Sequence, residues 1–128
     1  MKVKELMRTS ATRVSPAATV GEALSRMNGL GVASLPVEDA EGFLLGVARH
    51  ADLSRGLAEG SVTSSAAVGD GLSYQVVTAT PEMDVTRLAE MMRDRGVDDM
   101  MVVEGKYLVG ALSLAEAGKV ETGLRTAL

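Results

Sequence analysis

The 128-residue chain contains no cysteine, no tryptophan and no isoleucine. Without cysteine there is no disulfide framework, no thiolate zinc site and no sulfur nucleophile. The only histidine is His50, which excludes a multi-histidine metal centre within one chain. Phe43, Tyr74 and Tyr107 are the only aromatics, too few for a base-stacking platform on single-stranded nucleic acid. Positive charge is also short. Thirteen Lys and Arg face 17 Asp and Glu, for a net charge of −4 and a pI near 5.0. A bulk electrostatic hold on nucleic acid or anionic lipid is therefore not expected. No apolar run approaches the ~18 residues of a membrane span. The first twenty residues hold no apolar stretch suited to a signal peptide, so the expected location is the cytoplasm.

What is present is a globular balance, 46% hydrophobic and 23% charged. The core must come from Val, Leu, Ala and Met. The length suits one domain, or two small ones that depend on each other.

The chain repeats itself. At an offset of 65, Val3 aligns with Val68, Pro16 with Pro81, Val20 with Val85, Met27 with Met92, Gly31 with Gly96, Val32 with Val97 and Val37 with Val102. The offset then becomes 64, aligning Leu44 with Leu108, Gly46 with Gly110 and Ala51 with Ala115, as a shortened hairpin loop would produce. Collinear matches with a single gap mark an internal duplication. In the first copy Thr19-Val-Gly-Glu22 reads as a capping box, followed by Val20, Ala23, Leu24, Met27 and Leu30 at helical spacing and Gly31 as the stop. In the second copy Asp84 takes the cap position, Val85, Leu88, Ala89 and Met92 repeat the stripe, and Gly96 ends it. Each helix leads into two apolar runs joined by a tight turn, a hairpin pattern: Leu35–Val37 with Phe43–Ala48, and Met100–Val103 with Tyr107–Ser113. A second helix is expected near Asp52 and near Leu114. Short strands are expected at Thr12–Ser15 and Gln75–Thr80, and opening helical turns at Val3–Met7 and Ala66–Leu72. The polar stretch Gly60–Ser65 reads as a linker.

The unit is thus β-α-β-β-α, twice: repeat one at about 1–60 and repeat two at about 66–122, an α/β class. Alone, a unit of this size buries only roughly 60% of its unfolded surface. The copies are therefore expected to form one module over 1–128, packed sheet to sheet about a pseudo-twofold axis.

The series Val3-x-x-Leu6-Met7, Val14-Ser-Pro16, Gly31–Val37 and Leu45–Leu53, repeated as Thr80-Pro81, Gly96-Val97, Val102-Val103 and Leu108–Glu116, resembles a tandem cystathionine-β-synthase (CBS) domain pair, or Bateman module. The resemblance covers nearly the whole chain. It implies binding of an adenosine-containing ligand (AMP, ADP, ATP or S-adenosylmethionine) in clefts between the repeats. It also implies regulation of an effector protein and pairing into a homodimer, with no required cofactor; the charge balance and composition point to no nucleic-acid or membrane partner. In this family a Gly-hydrophobic-hydrophobic-Thr/Ser-x-x-Asp segment bounds each site. Its acid accepts from the ribose hydroxyls, as suits a group with acceptors only.

Carried over, site one is Asp52 as the ribose acid with Arg49 and His50, facing Tyr74 at the end of Ala67–Tyr74, and Val97, Asp98 and Asp99, with Arg95 at the mouth. Arg49 stands where the family has a hydroxyl. Site two is Ser113 and Glu116, facing Lys4–Thr9 and Val32, Ala33 and Ser34; its acid is one methylene too long. Site one is the expected ligand site and site two the degenerate one. Each residue also has a structural reading. Asp52 and Ser113 suit helix caps, Arg49 and His50 a solvated strand end, Glu116 a solvated helix face, and Asp98-Asp99 a solvent loop. Met27, Met92, Met100 and Met101 fit core positions. No catalytic constellation or metal site is legible, and neither Gly29–Gly31 nor Gly69–Gly71 has the frame of a phosphate loop. The competing expectation is a ligand-free dimerisation or docking module whose clefts have decayed.

Overall fold

The computed structural model describes residues 1–71 and 77–127, with side chains described to Val120. Tyr74 therefore lies outside the described residues, as do Gln75 and Val76 of an expected strand. The chain forms two compact units. One holds Thr12–Val76 and is called here the repeat-one unit; the other joins Met1–Ala11 to Val77–Leu128 and is called the repeat-two unit.

In the repeat-one unit, helix α1 spans Val20–Leu30. Thr19 caps it: its hydroxyl accepts from Glu22 N at 3.1 Å, and Glu22 Oε2 accepts from Thr19 N at 3.4 Å. Gly31 closes it in the left-handed region (φ 68°), where a side chain would be strained. Strand β1 (Ser34–Glu38) pairs antiparallel with β2 (Leu44–Arg49). Asp39 Oδ1 shapes the turn by accepting from Glu41 N and Phe43 N. Helix α2, His50–Glu59, follows β2 without a gap and starts two residues ahead of the expected Asp52. The start is set by His50 N, which donates to Ala33 O at 2.9 Å. Val20, Ala23 and Met27 of α1 pack with Leu35, Val37, Ala48 and Leu53 around one core.

The repeat-two unit has β3 (Thr78–Ala79), α3 (Val85–Arg95), β4 (Asp99–Glu104), β5 (Tyr107–Ser113) and α4 (Leu114–Ala127). Asp84 caps α3 through Arg87 N, and Gly96 ends it (φ 66°). Leu88, Met92, Met100, Val102 and Leu112 fill its core. All four methionines assigned to core positions are buried, at 0–3% exposure. Full burial of such a side chain is worth about 1.5–3 kcal/mol.

The sheets differ. β3, β4 and β5 form three strands, with β3 parallel to β4. The repeat-one sheet has two strands, and the strand expected at Thr12–Ser15 is reduced to one bridge, Val14 to Val37. Pro36 is the reason. Its carbonyl accepts from Val14 N at 3.1 Å, so the N–H it lacks would face the same edge, and the ladder cannot continue there. The aligned residue in repeat two is Met101, which pairs with Thr78.

The opening segments are exchanged. A 3-10 turn at Val3–Glu5 docks on the loop before α3: Val3 N donates to Met83 O, Lys4 N to Pro81 O, and Val85 N to Met1 O. The corresponding turn, Val68–Gly71, docks on the loop before α1: Val68 N donates to Ala18 O, Gly69 N to Pro16 O, and Val20 N to Ala66 O. The bonds match at an offset of 65. Val3 and Val68 are each wholly buried in the core of the other repeat.

Candidate functional site

Each repeat places an acid in the first turn of its second helix, where the helix dipole favours negative charge. Asp52 sits there in α2 and Glu116 in α4. Their surroundings differ.

Asp52 is exposed. Its Oδ1 accepts from Arg55 Nη2 at 2.9 Å, an i,i+3 pair on the helix surface whose side chains are 45% and 62% exposed. Such pairs contribute little and exchange readily with other partners. Arg49, the N-cap residue of α2, makes no capping bond with its side chain. His50 is engaged within the unit: Nε2 lies 2.9 Å from Asn28 Oδ1 on α1, and Nδ1 lies 3.2 Å from Ser54 Oγ.

Asp52 lines a cavity of about 430 Å³ together with Leu53, Gly56, Gly60, Ser61, Val62, Thr63, Ala66 and Asp70. Gly56 makes this shape possible. A Cβ there would come within 2.8 Å of Val62 Cγ1, and Gly56 O accepts from both Ser61 N and Val62 N. The linker thus folds back against α2 and places Ser61 and Thr63 in the cavity lining. Two carboxylates and two hydroxyls over Leu53, Val62 and Ala66 suit a ligand with hydroxyl donors and an apolar body. Asp70 falls within the segment expected to face Asp52. Ser61 and Thr63 were not expected here. The available signal was their position directly after Gly60, which shows the linker turning back.

Glu116 is held on several sides. Its N–H donates to Ser113 Oγ at 3.1 Å, and its Oε1 accepts from Ser113 N at 3.2 Å, a capping box at the start of α4. The same Oε1 accepts from Arg8 Nη1 at 2.7 Å, with the side chains of Arg8 and Glu116 40% and 30% exposed. The backbone of Arg8 is fixed too: its N donates to Ala111 O at 2.8 Å and its O accepts from Ala111 N at 3.0 Å. Gly110 permits this approach, since a Cβ there would meet Met7 Sδ at 2.7 Å and Arg8 O at 3.0 Å.

The other expected residues fall at the end of the first helix or at the start of the second helix of their own repeat. Ser34, buried at 7% exposure, pairs with Arg49, and Ala33 holds His50 N. Val32 N donates to Met27 O at the end of α1. Asp99 pairs with Ser113, and Asp98 O accepts from Leu114 N at 2.8 Å. Val97 N donates to Met92 O, and Arg95 is the exposed last residue of α3. Asp52, Arg49, His50 and Val32–Ser34 thus belong to one unit. Ser113, Glu116, Arg95 and Val97–Asp99 belong to the other. Among the described residues there is no cluster of three or more His, Asp or Glu suited to a metal ion, and no helix long and apolar enough to cross a membrane.

Comparison with known proteins agrees with the duplication. The sequence pattern of the CBS domain matches residues 3–59 and 68–117. The CBS domain-containing protein YhcV of Bacillus subtilis is 29% identical over 115 residues, covering 89% of this chain and 81% of that protein. The crystal structure of the CBS domain pair of protein MJ0100, in complex with 5′-methylthioadenosine and S-adenosyl-L-methionine, superposes with a TM-score of 0.84 at 19% identity, covering 97% of this chain and 98% of that one. The crystal structure of CBSX2 in complex with AMP gives 0.82 at 21% identity, with the same coverage of both chains.

Proposed function

The chain belongs to the CBS domain family, as a tandem pair or Bateman module, and from that membership we propose that it is a regulatory module that binds an adenosine-containing ligand and acts on a partner protein. The ligand is AMP, ADP, ATP or S-adenosylmethionine, and Asp52 is its ribose acceptor. The observation that carries this reading is the position of Asp52: an exposed carboxylate in a surface pair with Arg55, on the wall of a cavity of about 430 Å³. A ribose offers two hydroxyl donors and the carboxylate offers only acceptors. The ligand can change the output only by binding one arrangement of the module better than another. The reading needs no bond-making chemistry, and it includes pairing of two copies.

Calorimetric titration of the intact protein with each of the four ligands tests it. Binding by at least one is expected, and Asp52→Ala should weaken it about 100-fold, as loss of two charge-assisted hydrogen bonds implies. Absence of heat for all four, at protein concentrations that resolve micromolar binding, refutes the proposal.

A second reading, a docking module that takes no small molecule, is favoured by the internal use of Ser113 and Glu116 in a capping box. The same titration separates the two.

A further inference from the structure

The two acids stand at aligned positions, yet only one is drawn into the fold. Repeat two has Ser113-x-x-Glu116, the hydroxyl and long acid that close a capping box. Repeat one has Arg49-x-x-Asp52, with no hydroxyl and a shorter acid, and Arg49 makes no capping bond with its side chain. Asp52 is left to Arg55 on its own helix face. Glu116 is left with a half-buried partner from a distant segment, Arg8, at 2.7 Å. The base of that partner is anchored, because the Arg8 backbone is bonded in both directions to Ala111, where Gly110 admits Met7 alongside.

We propose that Arg8 sets the number of adenosine-type ligands one chain accepts: by holding Glu116, it closes the Ser113–Glu116 end and leaves Asp52 as the one working acid. The inference rests on the ligand reading given above. A ribose at the repeat-two end must displace a guanidinium that already satisfies the acid, and the extra methylene of Glu116 is what lets the acid serve both Arg8 and the Ser113 N–H. Displacing a charge-assisted bond of this kind lowers apparent affinity by roughly 10- to 100-fold. Arg8 thus acts as a built-in competitor, carried on a segment that the exchange of opening turns brings onto β5.

The test is stoichiometry, which a purely structural role for Arg8 would not change. Equilibrium dialysis of the full chain against AMP, ADP, ATP and S-adenosylmethionine is run on the native protein, Arg8→Ala, Arg8→Lys and Glu116→Asp. The native protein should bind one equivalent per chain, and Arg8→Lys, which retains the ion pair, should also bind one. Arg8→Ala should gain a second, weaker equivalent, lost again in Arg8→Ala/Glu116→Gln. Glu116→Asp, too short to reach Arg8, should gain it as well, and it decides the matter if Arg8→Ala does not fold. Two equivalents in the native protein, or one in both Arg8→Ala and Glu116→Asp, overturn this inference and leave the ligand reading intact. No binding by any of the proteins overturns both.

Discussion

Three aligned pairs separate the two repeats: Pro36 and Met101, Arg49 and Ser113, Asp52 and Glu116. Around these pairs the halves keep the same first helix, the same glycine stop after it and the same hairpin register. Each pair changes something specific. Pro36 removes a donor and ends a ladder at one bridge, whereas Met101 sustains a third strand. Ser113 with Glu116 makes a capping box; Arg49 with Asp52 leaves the acid exposed beside a cavity. Duplication thus produces two equivalent frames, and single residues on those frames decide which end closes on itself.

The comparison breaks most severely at the sheets. Met101→Pro should cost about 3 kcal/mol or more, because it removes a strand donor and a buried side chain together. Pro36→Ala should stay within about 1 kcal/mol of the native protein, because repeat one already lacks that bond. Urea unfolding midpoints of the two variants check this, and equal losses would refute the account of the shortened ladder.

The exchanged turns give the next contrast. Gly69→Ala would drive a Cβ to 2.9 Å from Pro16 O and Pro16 Cβ, whereas Gly110→Ala would meet the flexible end of Met7 at 2.7 Å and Arg8 O at 3.0 Å. Gly69→Ala should therefore be the costlier, at about 1–3 kcal/mol, with Gly110→Ala below it. Thermal midpoints rank them.

Smaller again are the helix starts. Thr19→Ala removes only the hydroxyl bond of its capping box, since Glu22 still accepts from the backbone N–H of residue 19, and should cost about 1 kcal/mol; Asp84→Ala removes its cap bond together with a negative charge at the helix N-terminus and should cost somewhat more. Denaturant titration resolves the difference.

The smallest effect is a pH effect confined to the repeat-two unit. Glu82 holds Lys2 at 2.7 Å and Lys4 at 3.0 Å, and these bonds, Lys2 first, pull its carboxyl below the ordinary value. Glu82 raises the Lys2 ammonium above its own ordinary value. A depressed carboxylate stabilises the folded state above its unfolded pKa, and the contribution fades as pH falls through the folded value. Amide protection at Val3 and Lys4, measured relative to the intrinsic exchange rate at each pH, should therefore fall on acidification, while protection at Val68, whose N–H donates to Ala18 O, should show no matching acid step.

Much of this architecture was legible in the chain. Thr19 and Asp84 announced helix starts, Gly31 and Gly96 the stops, and the methionine stripe the core, because caps and periodicity are local. The shortened strand was legible in principle, since Pro36 was visible, but the edge it would face depends on register. The site was half legible: Asp52 and Glu116 stood out by alignment and Lys4–Thr9 was expected to face Glu116, while the cavity wall at Ser61 and Thr63 read only as linker and the ion pair of Arg8 with Glu116 was not foreseen.

By itself, the sequence determined that there are two copies, what each is made of, and where the first helix of each begins and ends, because those signals act over a few residues. Its local signals do not say which half receives which opening turn, because Val3 and Val68 are the same residue before the same kind of loop and either docking satisfies the same local bonds. The family resemblance set Lys4–Thr9 against Glu116, and the tertiary structure fixed the bonds by which the turns trade places. With that trade it placed a guanidinium from residue 8 against the second acid and left the first one exposed.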